Sequence, residues 1–185
     1  MSFEQTKYQV IRNAISYDLA NFCFNYFLLK RDAIKFMYDN NFIAENGMHG
    51  TWKDEQVPGV YSIYADHVME TLLVKTLPVM KEKTGLDLLP TYSYARVYEK
   101  GSILEKHKDR PSCEVSTTIN LGGDLWSIYV EGIKIDLNPG DMLIYAGCEL
   151  EHWREPFEGN ICGQVFLHYN HADGPFAKTN LYDKR

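Results

Sequence analysis

Along the first ninety or so residues apolar positions recur at helical spacing, and beyond them they alternate, so the chain predicts helices first and strands afterwards. Tyr8 to Ile15 is a short apolar run suited to a strand, and Ser16 then offers an N-cap oxygen. Leu19, Phe22, Cys23, Tyr26, Leu29, Ala33, Ile34 and Met37 recur at three- and four-residue spacing, which predicts one buried helix face ending near Asp39-Asn40-Asn41. A second helix is predicted from about Ile63 to Lys83, with Tyr64, Val68, Leu72 and Met80 on one face, Gly85 as its stop, and Pro78 kinking it or ending its regular part early. His67 reads as a surface or packing residue of that helix. Between the helices, Glu45 to Gly59 has no period and gathers Gly47, Gly50, Pro58 and Gly59. This long loop carries His49 and Trp52, and it is either a lid over a pocket or a segment packed on the wall behind one.

After Pro90 eight β-rich runs follow: Tyr92 to Glu99, Ile103 to His107, Glu114 to Leu121, Leu125 to Val130, Ile133 to Leu137, Met142 to Ala146, Leu150 to Arg154 and Ile161 to Asn170. Glu131-Gly132 is a two-residue hairpin signal between the fourth and fifth. Eight antiparallel strands in two sheets make a jelly roll, the cupin-like double-stranded β-helix, here mostly β with N-terminal helices that pad one outer face. The expected organisation is one domain: about 1–90 for the supporting strand and helices, about 91–170 for the barrel, and 171–185 for a loosely held polar tail that His171 begins.

Composition narrows the function. With 185 residues, 45% hydrophobic and 24% charged, the chain has the make-up of an ordinary globular protein. A net charge of -6 with no cluster of Lys and Arg argues against nucleic-acid binding. Apolar stretches are cut by Lys30, Arg31 and Glu70 before reaching the length of about 20 residues that a membrane helix needs. Cys23, Cys113, Cys148 and Cys162 show no Cys-x-x-Cys spacing, and no charged leader precedes an apolar run, so reduced thiols in a cytoplasmic protein are expected.

The chemistry sits in Glu105-Lys106-His107-Lys108-Asp109 and in Glu151-His152-Trp153. Residues two apart on a strand share a face, so His107 and Asp109 can reach one ion, and a neighbouring strand can bring His152 to a third position. Two imidazoles and a carboxylate on one face leave the other coordination positions free, the arrangement of non-haem Fe(II) oxygenases.

Tyr98-Glu99-Lys100-Gly101 leading into His107-Lys108-Asp109, and Pro139-Gly140-Asp141-Met142-Leu143-Ile144-Tyr145 leading into His152, resemble the Fe(II)- and 2-oxoglutarate-dependent dioxygenases, most closely their prolyl-4-hydroxylase-like branch. The resemblance covers most of the chain. It implies Fe(II) held by His107, Asp109 and His152, 2-oxoglutarate and O2 as co-substrates, ascorbate as an aid, and hydroxylation of a C–H bond of a peptide or small molecule with release of succinate and CO2.

The chain departs from the family at one place. Members hold the distal carboxylate of 2-oxoglutarate with an Arg or Lys near the start of the last strand, where this chain has Ile161, Cys162, Gly163 and Gln164. Leaving a buried carboxylate unpaired costs several kcal/mol, so another cation is expected. Arg154, two residues from His152, faces the same interior if the strand stays regular. Arg96 is the alternative, on a strand face with Tyr94 and Tyr98, whose phenols can donate hydrogen bonds to a co-substrate, and Thr118 or Thr117 can help. His168 shares a face with Gln164 and Phe166 and is either a ligand-binding residue or a satisfied core histidine. The departure also keeps open a different class, a cupin-like metal-binding or non-oxidative protein that does not use 2-oxoglutarate.

Overall fold

The structure, a computed structural model, describes residues 3–184. In chain order it comprises α1 (Phe3–Thr6), β1 (Tyr8–Ile11), α2 (Tyr17–Asp39), β2 (Tyr61–Tyr64), α3 (His67–Thr84), β3 (Leu88–Glu99), β4 (Leu104–His107), β5 (Val115–Gly123), β6 (Ile128–Val130), β7 (Ile133–Ile135), β8 (Met142–Tyr145), β9 (His152–Arg154), β10 (Ile161–His171) and α4 (Ala177–Asn180), with 3-10 turns at Pro111–Cys113 and Leu181–Lys184. Each of the eight runs after Pro90 contains a strand. Together with β1 and β2 these eight strands form two antiparallel sheets, a major one in the order β1-β8-β5-β10-β3-β2 and a minor one in the order β4-β9-β6-β7. This is the double-stranded β-helix, mostly β with helices packed outside.

Alternation along the major sheet sorts its residues into two environments. Val165, Leu167, Ile119, Leu121, Ala95 and Val97 face outward, into a core shared with Cys23 and Phe27 of α2 and Met69, Leu72, Leu73 and Met80 of α3. The inward set, Tyr94, Arg96, Tyr98, Ser116, Thr118, Gln164, Phe166 and His168, is mostly polar, and all but Tyr94 are buried. Thr117 shares the outward face and lies away from the interior.

Several expectations change. The first strand stops at Ile11, because Asn13 takes a positive φ of 51° and, with Arg12, turns to bind Asp141. Ile63 and Tyr64 belong to the edge strand β2, and the second helix starts only at His67, behind the Asp66 cap. Tyr61-Ser62-Ile63-Tyr64 is aromatic and β-branched in a two-residue alternation, and pairing with β3 overrides the helical spacing read across it. The buried stripe of α2 is Ala20, Cys23, Phe27 and Ile34, whereas Phe22 and Leu29 are 64% and 69% exposed. Apolar residues such as Phe22, Leu29 and Phe36 also stand on its exposed side, so spacing alone does not select its buried face. Pro78 does not end α3, which continues to Thr84. Pro78 and Val74 lie on the exposed side, where the carbonyl freed by the missing N–H is open to water. Gly85, with φ of 72°, closes the helix in the left-handed conformation. The tail expected over 171–185 has short helical turns, and its last residue, Arg185, lies outside the described residues.

Helix α3 is joined to α2 at its first turn. One oxygen of Asp66 accepts from the backbone N–H groups of Val68 at 2.9 Å and Met69 at 3.3 Å, and the other accepts from the Tyr26 hydroxyl at 2.8 Å and from Lys30. Burial pushes this carboxyl up, but Lys30, Tyr26 and the Met69 N–H outweigh it and hold it below the usual carboxylate range. A carboxyl whose folded pKa is depressed stabilises the protein fully above its unfolded pKa, and the stabilisation is lost as pH falls through the folded value. Asp66→Ala should therefore lose about 2–4 kcal/mol of unfolding free energy in urea at neutral pH. Its stability should also fall less steeply with acid than that of the parent.

Candidate metal centre and its pocket

In the β4–β9 ladder His107 stands directly opposite His152, and Leu104 opposite Arg154. Cross-strand partners point to the same side, which brings the two imidazoles together with ring centroids 4.2 Å apart. Each ring is oriented by the carbonyl two residues before it: Nδ1 of His107 lies 2.8 Å from the Glu105 carbonyl and Nδ1 of His152 lies 3.1 Å from the Leu150 carbonyl. A carbonyl only accepts, so Nδ1 carries the proton in both rings and the Nε2 lone pairs are left to face a third group. That group is Asp109, whose Oδ1 is 3.7 Å from His107 Nε2 and 3.5 Å from His152 Nε2. Asp109 lies beyond the end of β4 and is positioned by its N–H on the Gly147 carbonyl at 2.9 Å. Gly147 is required there, because a Cβ would stand 2.4 Å from Asp109 Oδ2 and from the Cys113 carbonyl.

The electrostatics suit a cation. Burial pushes Asp109 up, but His152, His168 and Ser116 outweigh it and keep the carboxyl below its usual range. Burial, and then His152, push His107 down, which favours the neutral imidazole that a metal needs. The three donor atoms lie within 4.8 Å of one another and could hold one ion. Behind them, the Ser116 hydroxyl is 2.9 Å from Asp109 Oδ2 and 2.8 Å from His168 Nδ1. Burial lowers His168 to about 4, so the ring is neutral at pH 7. It donates to Ser116, which in turn donates to Asp109, and so supports the carboxylate that the histidines face. His171 is in neither this cluster nor the cavity wall, and its backbone N–H donates to Glu114 at 3.0 Å.

The metal position opens into a cavity of about 400 Å³ walled by His107, Asp109, His152, His168, Arg96, Lys108, Arg110, Asp54, Gln56 and the aromatic rings of Tyr64, Tyr92, Tyr94, Tyr145 and Phe166. Both readings of the loop over 45–59 apply, to different parts of it. Its first part packs on the wall: Trp52 lies against Tyr61 at 4.8 Å, and Thr51 pairs with Ser62. Its second part turns over the cavity, where Asp54 binds Arg96 and Gln56 places its amide nitrogen 2.9 Å from His107 Nε2. Opposite, Asp183 of the tail meets the Tyr64 hydroxyl at 2.7 Å and Arg110 at 3.4 Å.

Arg154 points inward and is 1% exposed. Its Nη1 donates to the Trp126 carbonyl, its guanidinium lies 5.0 Å from the Trp126 ring, and its Nε and Nη2 have no partner among the described residues. Burial pushes its pKa below the ordinary value, as an unpaired internal cation requires. Arg154 is outside the cavity lining, but its cross-strand partner Leu104 and its neighbour Tyr145 belong to it. Tyr98 is buried against Trp126 at 4.8 Å, and Thr118 donates to Gln164 at 3.1 Å. Asp54, Gln56, Ser116 and Gly147 belong to the site but lie outside the motifs. The aperiodic loop was the one local signal for the first two, and only the folded register brings the others to Asp109.

No protein-family model matches the sequence, and no curated protein is similar to it. Solved structures do resemble it. A prolyl-4-hydroxylase from Pseudomonas putida superposes with a TM-score of 0.65 at 15% identity, over 89% of this chain and 92% of that one. HygX from Streptomyces hygroscopicus, solved with nickel and 2-oxoglutarate bound, gives 0.61 at 13% identity over 92% and 85%. This chain has the fold of the 2-oxoglutarate- and Fe(II)-dependent oxygenases. SnoN, a non-haem α-ketoglutarate-dependent epimerase from nogalamycin biosynthesis, gives 0.67 at 10% identity over 92% and 80%. One fold thus carries both a hydroxylase and an epimerase, and it does not select the substrate.

If the three residues form the centre, calorimetric titration with Ni(II) should give one site per chain. His107→Ala and His152→Ala should each abolish it, with far-ultraviolet circular dichroism unchanged. Stoichiometric binding by either variant would place the metal elsewhere.

Proposed function

We propose that this protein is a non-haem Fe(II)- and 2-oxoglutarate-dependent dioxygenase that hydroxylates a C–H bond of a peptide or small molecule. The observation that carries the reading is the convergence of two Nε2 lone pairs and a carboxylate oxygen on the wall of a cavity, with a partly unsatisfied guanidinium buried nearby. When bound there, Fe(II) with O2 supplies the oxidising chemistry, in which 2-oxoglutarate loses CO2 and becomes succinate while the second oxygen atom enters the substrate. The remaining tasks fall to the chain. His107, Asp109 and His152 would hold the ion through one oxygen and two nitrogens and leave its other coordination positions to ligands. The Glu105 and Leu150 carbonyls and the Ser116–His168 pair orient those three residues.

Arg154 meets the distal carboxylate of 2-oxoglutarate, taking the place of the missing basic residue of the last strand, with Tyr98 and Thr118 as neighbouring hydroxyls. A buried guanidinium with two idle donors destabilises the empty protein, and a carboxylate that reaches it completes its hydrogen bonding. The alternative, a cupin-like protein with a non-oxidative role, is favoured by a single observation, the uncharged run Ile161-Cys162-Gly163-Gln164 in the region where the family carries a cation.

Anaerobic addition of Fe(II) and 2-oxoglutarate should produce the visible charge-transfer band of the chelate, and with O2 and ascorbate succinate should form slowly even without substrate. Absence of both would favour the cupin-like reading. Arg154→Ala should weaken 2-oxoglutarate binding by about thirtyfold or more. Arg154→Lys should recover part of the loss, keeping the charge without the planar fork. Arg154→Met removes an unpaired buried charge, so it should unfold at the same or higher urea concentration than the parent while still losing the co-substrate. Tight 2-oxoglutarate binding by Arg154→Met would transfer the anchor role to another residue.

A further inference from the structure

Arg96 stands at the cavity wall with its hydrogen bonding half used. It is 5% exposed; Nη2 donates to both oxygens of Asp54 at 2.9 and 3.0 Å and to Oε1 of Gln56 at 2.7 Å, and Nη1 reaches the Tyr98 hydroxyl at 3.5 Å. Its Nε is buried without a partner among the described residues. Two carboxylate oxygens crowd one nitrogen, whereas a carboxylate facing a guanidinium squarely puts one oxygen on each of two nitrogens. Asp54 is restrained from that geometry. Its Oδ1 also accepts the backbone N–H groups of Gln56 at 2.9 Å and Val57 at 3.1 Å, and its Oδ2 is held by the Tyr94 hydroxyl.

The next residue of the arrangement gives the direction. The Gln56 amide bridges Arg96 and the metal position, with Oε1 on Nη2 of Arg96 and Nε2 at 2.9 Å from Nε2 of His107. One amide group therefore spans the gap between the guanidinium and a nitrogen that faces the metal. A metal ion on His107 needs that lone pair, so Gln56 has to leave when the site is loaded. The vacated path begins at a cation, ends at the metal, and is flanked by the rings of Tyr94 and Phe166, which lie 5.0 and 5.9 Å from the Arg96 guanidinium carbon.

We propose that Arg96 is the receptor for a carboxylate on the oxidised substrate, for which Asp54 is the resident stand-in, and that the substrate is a small organic or amino acid oxidised within a few bonds of that carboxylate. This rests on the oxygenase reading above. Binding exchanges a tethered, poorly aligned carboxylate for one free to engage both nitrogens, and it releases the 53–57 segment together with Gln56. The two arginines then divide two carboxylates between them, Arg154 taking the co-substrate's and Arg96 the substrate's.

The test uses short carboxylic and amino acids, each paired with its primary amide, against the full chain. Calorimetry on the metal-free protein reads binding, Trp52 emission with a Trp52→Phe control reads release of the loop, and succinate formation in the complete mixture reads coupling. At least one acid should bind, shift the emission and accelerate succinate formation, with its amide weaker by about thirtyfold or more. Arg96→Gln should remove acid binding while 2-oxoglutarate still develops the chelate band. Asp54→Asn should tighten acid binding by removing the competitor, and it decides the matter if Arg96→Gln does not fold. Amides as effective as acids, a panel in which no acid binds, or unchanged acid binding in Asp54→Asn each overturn the proposal. Loss of the chelate band in Arg96→Gln also overturns it and makes Arg96 the co-substrate's anchor. Failure of the oxygenase reading is separate: the parent would then give neither band nor succinate, whatever acids it binds.

Discussion

The opposition of His107 and His152 across two short strands is the constraint on which the site depends. A strand presents alternate residues to alternate sides, so a one-residue slip in the β4–β9 ladder would send one imidazole to the exterior and remove Arg154 from the interior at the same time. The rest of the molecule holds that register. Trp153, between the two inward residues, stacks on Tyr129 outside with ring centroids 5.4 Å apart, and Tyr145 packs inside against His152 at 4.7 Å. Asp109 comes from outside the ladder, so its position depends on the Gly147 carbonyl and on the major sheet through Ser116. The candidate centre is thus where the two sheets are joined by polar contacts.

The two sheets divide the work unequally. Hydrophobic burial is concentrated on the outer face of the major sheet, where α2 and α3 cover Val165, Leu167, Ile119 and Val97. The interior between the two sheets holds arginines, tyrosines, hydroxyls and imidazoles, which cost stability unless they find partners. Most do, but Arg154 on β9 keeps Nε and Nη2 without a partner among the described residues, as Arg96 does its Nε. An interior cation with idle donors costs stability, and the proposed co-substrate site would give those donors a partner.

Much of this was legible in the sequence where short-range rules govern. Ser16 caps α2, Gly85 ends α3, and each of the eight runs read after Pro90 contains a strand. The His-x-Asp and distal histidine are brought together, and the inward direction of Arg154 follows from counting two residues from His152. What failed was decided by tertiary pairing. Ile63 and Tyr64 fit a helical period in isolation and belong instead to a strand because β3 offers that segment an edge. The apolar surplus on α2 hid which face would be covered, and Pro78 survives inside α3 because its side of the helix faces solvent. Asp54 and Gln56 carry no motif, and their meaning arises from contacts with Arg96 and His107 some forty and fifty residues away.

The short strands of the minor sheet have a further consequence. β6, β7 and β9 are three residues each and β4 is four, whereas β3, β5 and β10 run to twelve, nine and eleven. Few ladder bonds hold such a sheet, so its amides open to solvent through local fluctuations at lower free energy than those of the long strands. Both candidate histidine ligands lie on it. An ion shared between β4 and β9 and fastened to the opposite sheet through Asp109 would act as a cross-link in the softest part of the barrel, and occupancy of the centre would be felt across the minor sheet as slowed amide exchange.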